Sequence, residues 1–351
     1  MWKLIVLVSL AITLKIDGAE EKPLKPDAWQ PLCSIFAAFS KRTADKKAAI
    51  GQLAKNAAQA RTLRLKASIV AQATESSRMD KKKATLETYL AKVETAAAKA
   101  ASATTFEAAI DDGYKLGYAN GGIREFLNLV ATVNQVTTKG CILNAGGTAS
   151  GNLIKTFSAM GRIHANCKLL AGEQHTVTDD ATTLTPQGIA PLTTGNTLVG
   201  ANELGCRLTT LEDNNGLYDG ALTETELHVA AGAIKLTKST PSFNKMTDFS
   251  TDGTPGEREI LHAAWQAAAQ AAEIPTKFKQ KKLSELKKDP TFKEVVRHIY
   301  GLPTATEIPD ITAKLDEIFS ESDDEFNTNY WKQLEDYEIT KKLEYKTQEP
   351  N

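Results

Sequence analysis

Between Asp27 and about Val133 the sequence offers almost no place to turn, and after Pro31 it has no proline at all. A stretch of that length without breakers fits two long helices better than a series of small elements. Its apolar residues recur at three- and four-residue spacing: Trp29, Leu32, Phe36 and Phe39, then Leu53, Ala57, Ala60, Leu63, Ala67 and Val70. A second set follows with Leu86, Leu90, Val93, Ala97 and Ala100, then Phe106 and Ile110, then Ile123, Phe126, Leu127 and Val130. That period marks one buried face per helix, and the small residues within it let two helices approach closely. Pro31 falls near the helix start, where a missing amide hydrogen costs little. The stripe lapses at TESSRMD (Thr74 to Asp80), where Ser76, Ser77 and Asp80 can cap a new helix. The break lies near the midpoint, as an antiparallel hairpin with arms of about 75 Å requires at about 1.5 Å per residue. Gly113, Gly117, Gly121 and Gly122 predict a kink or a close contact in the second arm, the alternative being a loop between two shorter helices.

The N-terminus bears on the compartment. Lys3 precedes eleven uncharged residues, Leu4 to Leu14, and small residues follow at Gly18 and Ala19. An apolar run this short does not span a bilayer but suits a signal peptide over 1–18, cleaved after Gly18 or Ala19. The alternative, a buried N-terminal helix, lacks an amphipathic continuation. In a secreted chain the four cysteines, Cys33, Cys141, Cys167 and Cys206, read as two disulfides, with no CxxC or Cys/His zinc spacing. Four cysteines allow three pairings, and their spacing does not choose among them.

From Thr137 to about Gly256 the composition turns to glycine, threonine and asparagine with short apolar runs, and three of the four cysteines fall there. This predicts a loop-rich lobe over 137–256 held by disulfides rather than by regular structure. Helical patterns return in Gly256 to Glu273, Pro290 to Gly301, Ile308 to Phe319 and Asp323 to Lys346. The fold class is therefore mostly α: a helical hairpin over 27–135, the lobe, and a group of C-terminal helices over 257–346.

Charge and motifs exclude several functions. Lys+Arg of 42 against Asp+Glu of 43 provides no basic field for nucleic acid. GGTASGNLI places Gly146 and Gly151 at P-loop spacing, but Asn152 and Leu153 stand where Lys and Ser/Thr must meet phosphate and magnesium. The histidines at 164, 175, 228, 262 and 298 form no HExxH or i,i+4 pair, so neither metal nor cofactor is expected. There is no GxSxG elbow, and oxidised cysteines cannot act as nucleophiles, so no catalytic residue is expected. KFKQKKLSELKK (Lys277 to Lys288) carries six lysines. It reads as a solvated helix face, with weak contact to lipid headgroups as the alternative.

WQPLC at the head of the first helix, GIREFLNLV (Gly122 to Val130), GC at Gly140 and Cys141, CKL at Cys167, CRL at Cys206 with NNGL after it, and AAGAI (Ala230 to Ile234) stand in a telling order. No one of these is specific; together with the cysteine count they resemble the N-terminal domain of a class A trypanosome variant surface glycoprotein, here over 19–351. The resemblance implies a homodimer, attached to the plasma membrane by a GPI anchor, that shields the parasite and meets host antibodies through a variable lobe. The alternative is a receptor or host-serum-factor-binding protein built on the same domain, like the transferrin receptor or the serum-resistance-associated protein. The resemblance also implies pairing of Cys33 with Cys167 and Cys141 with Cys206, whereas hairpin geometry favours Cys33 with Cys141. A complete member continues into a small cysteine-rich C-terminal domain and a hydrophobic GPI signal. This sequence ends in YKTQEPN with neither, as an N-terminal portion or an unusual member would. It has no Asn-x-Ser/Thr sequon.

Overall fold

Helix α1, Pro26–Ala73, runs unbroken for 48 residues. The structure, a computed structural model, describes residues 21–73, 80–135, 138–144, 152–168, 182–194, 197–201, 203–211, 216–217, 225–251, 253, 255–269 and 275–336. The expected signal peptide, Ser76 and Ser77, His175, Gly146 and Gly151 lie outside them. Pro26 takes the first helical position, which suits its fixed φ and missing N–H. Pro31 therefore lies more than a turn inside the helix, deeper than its sequence context suggests, and removes one helical hydrogen bond.

The return arm is two helices, α2 (Lys81–Ala100) and α3 (Ala103–Thr132). Asp80 caps α2 as expected, its side chain accepting from the Lys82 amide. The break falls at Ala101 and Ser102, not at the glycines, and the Ser102 hydroxyl meets that of Thr105 at 3.2 Å as α3 begins. Gly113, Gly117 and Gly121 lie in continuous helix beside open space, whereas Gly122 abuts Ala231, leaving 3.2 Å for any added Cβ. Close contact, not a kink, is what that last glycine provides.

The chain forms two compact units, one of residues 1–46 and 109–272, the other of 47–108 and 273–351. In the first, Trp29, Leu32, Phe36 and Phe39 of α1 pack with Leu116, Ile123, Phe126, Leu127 and Val130 of α3. Lys46 and Asp112 make a buried ion pair at 2.8 Å. Ile110 departs from the expected stripe: it is 68% exposed. The rest of this unit is short elements: α4 (Phe157–Ile163), a two-stranded ladder of β1 (Leu184–Thr185) and β2 (Gly188–Ile189), and a three-stranded sheet in the order β3-β4-β5. These strands are Glu226–Val229, Ile234–Thr237 and Ser242–Phe243, all antiparallel. The β3–β4 turn carries Ala230, Ala231 and Gly232 at positive φ, and a Cβ on Gly232 would meet the Glu257 carbonyl at 2.2 Å. Helix α5, Glu259–Ala269, buries Leu261, Ala264 and Trp265 against this layer.

In the second unit, Leu63 and Ala67 of α1 and Leu86, Tyr89 and Leu90 of α2 pack on α6 (Leu283–Leu286), α7 (Pro290–Tyr300), α8 (Thr312–Ile318), α9 (Asp323–Phe326) and α10 (Lys332–Glu335). Phe292, Phe319, Phe326 and Trp331 form its aromatic centre, with ring centroids 5.4 to 6.3 Å apart. A π-turn, Asn327–Trp331, joins the last two helices and sets Tyr330 and Trp331 inward. Much of the lysine-rich run is not a helix face. Residues 275–282 are irregular, and Asn56 pins them by donating to the Thr276 carbonyl and accepting from the Phe278 amide. Arg297 is buried and donates to the carbonyls of Pro303, Thr304, Ile308 and Pro309, closing the loop after α7.

Candidate functional site

All four cysteines lie in the first unit, and the lobe they tie is where any distinctive chemistry would have to sit. Its organising element is residues 21–25, ahead of α1. The Leu24 amide donates to the Cys141 carbonyl at 2.8 Å and its carbonyl accepts from the Leu143 amide at 2.9 Å. On the other side Lys25 donates to Leu198, Gly200 donates to Pro23, and the amides of Leu204 and Cys206 both donate to the Glu21 carbonyl. Leu24 is fully buried. Nothing in the sequence marks these residues: they are few, charged apart from Pro23 and Leu24, and lie just ahead of a second proline, Pro26.

Cys33 is bonded to Cys167 and Cys141 to Cys206, each pair with Cα atoms 4.8 Å apart. The first bond joins the second turn of α1 to the chain just past α4. The second joins the two segments that flank residues 21–25. Trp29 adds a third tie, its indole N–H donating to the Leu143 carbonyl at 2.9 Å inside the core. Cys33 does not bond Cys141, although both lie near the same helix ends, because residues 21–25 pair directly with Cys141 and hold it beside Cys206.

Among the described residues His164 is the one histidine near sulfur, its Nδ1 4.0 Å from Cys167 Sγ and its ring set edgewise to Trp29 at 6.3 Å. Burial holds this imidazole below its usual pKa, hence neutral. A disulfide sulfur is no thiolate, so the pair is not a nucleophile and base. The other described histidines are apart: His228 meets Asn244 at 2.8 Å, His262 packs between Phe249 and Trp265, and His298 is exposed on α7. Among the described residues no group of three His, Cys, Asp or Glu side chains is placed to hold a metal. An open cleft of about 450 Å³ beside His164 is lined by Asp27, Gln30, Ser34, Thr183 and Pro191. Among the described residues its acid, base and hydroxyl are engaged apart from one another: Asp27 pairs with Lys25, and Ser34 donates to the Gln30 carbonyl and accepts from Asn166.

The A-type trypanosome variant surface glycoprotein profile matches residues 5–350. The chain belongs to that family. Among its relatives are variant surface glycoprotein MITAT 1.2 of Trypanosoma brucei brucei, 23% identical over 67% of this chain and 49% of the relative. Another is variant surface glycoprotein MVAT5 of Trypanosoma brucei rhodesiense, 27% identical over 64% and 46%. The chain thus spans about half the length of these curated relatives. The solved structure titled Structure of MITat 1.1 superposes with a TM-score of 0.63 at 21% identity, covering 90% of this chain and 87% of that one. The likeness shows a shared fold. In this variant surface glycoprotein chain no described helix is long and apolar enough to cross a membrane.

Proposed function

We propose that this chain is the outward part of a surface coat glycoprotein that shields the plasma membrane by dense packing and presents a variable lobe to host antibody. The family match over 5–350 carries the reading. A lobe with little regular structure among its described residues, anchored on a helical frame by two disulfides, supports it, since loops fixed at a few points can change between them without loss of the frame. The mature protein starts after residue 18, pairs as a homodimer and is held at the cell surface by a GPI anchor on the full-length protein. The bonds Cys33–Cys167 and Cys141–Cys206 are its native pairing. It has no catalytic role.

The test is on parasites expressing the full-length protein. Antibody to residues 19–351 labels intact cells, and phosphatidylinositol-specific phospholipase C releases the label. Label that stays on the cells after the lipase contradicts the anchor. Stoichiometric retention of one host serum protein by the purified chain contradicts the coat reading in favour of a receptor.

A further inference from the structure

The lysine-rich run Lys277 to Lys288 has no part in the coat reading, and the structure divides its six lysines unevenly. Lys279 pairs with Glu285, Lys281 with Asp289 and Lys287 with Asp316. Lys282 stands within electrostatic reach of Glu285 and Asp323. Lys288, just past α6, closes no ion pair among the described residues, and neither does Lys293 on α7. Most of the run is thus spent inside the fold, and what is left over is local.

Lys288 and Lys293 line one open cleft of about 570 Å³ within the second unit, with Lys287 beside them. That volume lies in the range of about 300 to 1,000 Å³ usual for small-molecule sites. A recess focuses charge on a compact group, where a flat lysine face would meet an extended surface. The carboxylates of the cleft do not cancel this charge. Asp316 holds Lys287, Glu321 holds Lys82, and Asp323 accepts from the amide and the hydroxyl of Ser284 at 2.8 Å each. Two ammonium groups therefore remain for an anion, and lysine meets a phosphate well as a compact point charge. The carboxylates decide what that phosphate must carry. They repel a bare polyanion, yet an ionised carboxylate has about four acceptor sites and takes further hydrogen bonds from hydroxyl groups. A molecule with one phosphate and several hydroxyls satisfies both halves of the lining.

We propose that this cleft binds a phosphomonoester of a polyhydroxy compound, its phosphate between Lys288 and Lys293 and its hydroxyls against Asp316 and Asp323. Two sources carry that chemistry: a free sugar phosphate and the headgroup of a phosphorylated inositol lipid. Calorimetric titration of the full chain with glucose 6-phosphate tests the first. Co-sedimentation with phosphatidylcholine vesicles, with and without phosphatidylinositol 4-phosphate, tests the second. If the ligand is free, glucose 6-phosphate binds one per chain, at least about tenfold more tightly than glucose or inorganic phosphate. If it is a lipid, the chain sediments only with the phosphoinositide vesicles. In either arm the double variant Lys288→Gln, Lys293→Gln weakens binding at least about tenfold, since it removes both charge-assisted contacts. Lys277→Gln with Lys279→Gln removes the same charge from the same run outside the cleft, and changes binding less than about twofold. All these lysines lie outside the two cores, so circular dichroism melts of both variants match wild type. Equal loss in the two double variants reports net charge alone and overturns the cleft as the site. Binding untouched by Lys288→Gln, Lys293→Gln overturns it as well, and a chain that takes neither glucose 6-phosphate nor the phosphoinositide vesicles overturns the ligand class.

Discussion

The two units of this chain solve the same problem by different means. In the first, the described glycine- and threonine-rich stretches gain few helical or ladder hydrogen bonds, and the structure fastens them at two disulfides and at residues 21–25. The second has no cysteine; it joins short helices by stacked aromatic rings and by ion pairs such as Lys281–Asp289, Lys287–Asp316 and Lys82–Glu321. The difference teaches where change is tolerated. A cross-link acts largely on the unfolded chain and is indifferent to the residues between its ends. An aromatic cluster acts through packing, and each ring depends on its neighbours.

Reduction should separate the units most sharply. The bonds span 134 and 65 residues, worth about 5 and about 4 kcal/mol in the chain-entropy picture. Treatment with a strong reductant is expected to abolish slow amide exchange in residues 138–144, 152–168 and 203–211 while α7 and α8 keep theirs. Equal loss in both units would erase the distinction. Next in size is Phe319→Ala, which opens the ring cluster at a side chain only 1% exposed and is expected to cost about 3 to 5 kcal/mol. Exchange should rise in the second unit and stay slow around the disulfides.

Asp289 sharpens the contrast further. Its carboxylate accepts from the α7 amides of Thr291 and Phe292, from Lys281 Nζ, and from the buried hydroxyl of Tyr89 at 2.9 Å. Burial alone would raise its pKa; the hydrogen bonds from Lys281 and Tyr89 outweigh it and hold the group below the usual carboxylate value. Asp289→Ala is expected to lose about 3 kcal/mol, from the cap and from the partners left unpaired, read as a shift of the denaturant midpoint.

The pH responses differ in window. Asp289 is lowered, so its contribution is complete above the unfolded value of about 3.9 and is lost as pH falls through the folded one. His164 is lowered too, which for a base means that the unfolded chain takes up the proton first. Its contribution is complete above about 6.5 and erodes as pH falls from there toward the folded value. The first unit should therefore loosen slightly in mild acid, before the second, and His164→Phe should flatten that early step in a thermal-melt series from pH 7.5 to 5. The smallest effect is ionic. Lys92–Glu294 and its like are exposed, and raising salt to about 1 M should change stability by less than about 1 kcal/mol.

Helix class, the Asp80 cap and the core faces of Trp29–Phe39 and Ile123–Val130 were legible from periodicity and capping chemistry. The break at Ala101 was not, because alanine, serine and threonine are all tolerated in a helix, and the one contact that marks the restart is local, between the hydroxyls of Ser102 and Thr105. Ile110 was assigned to the core because a three- or four-residue spacing cannot say which of two apolar sides a helix buries. The lysine run looked helical since the Asn56 clamp on Thr276 and Phe278 comes from 220 and 222 residues away. Residues 21–25 carry too little pattern to announce a segment that bridges two loops through Leu24. Spacing alone left the cysteine pairing open among three arrangements, and hairpin geometry favoured one the structure does not have.

That pairing is the central claim, because it makes the lobe a set of loops fastened to a helical frame. The most direct test is non-reducing peptide mapping of the protein purified from the surface of living cells, with thiols blocked at lysis. The account predicts linked peptides containing Cys33 with Cys167 and Cys141 with Cys206, each collapsing to its parts on reduction. A peptide joining Cys33 to Cys141, or any of the four recovered as a blocked free thiol, would contradict it.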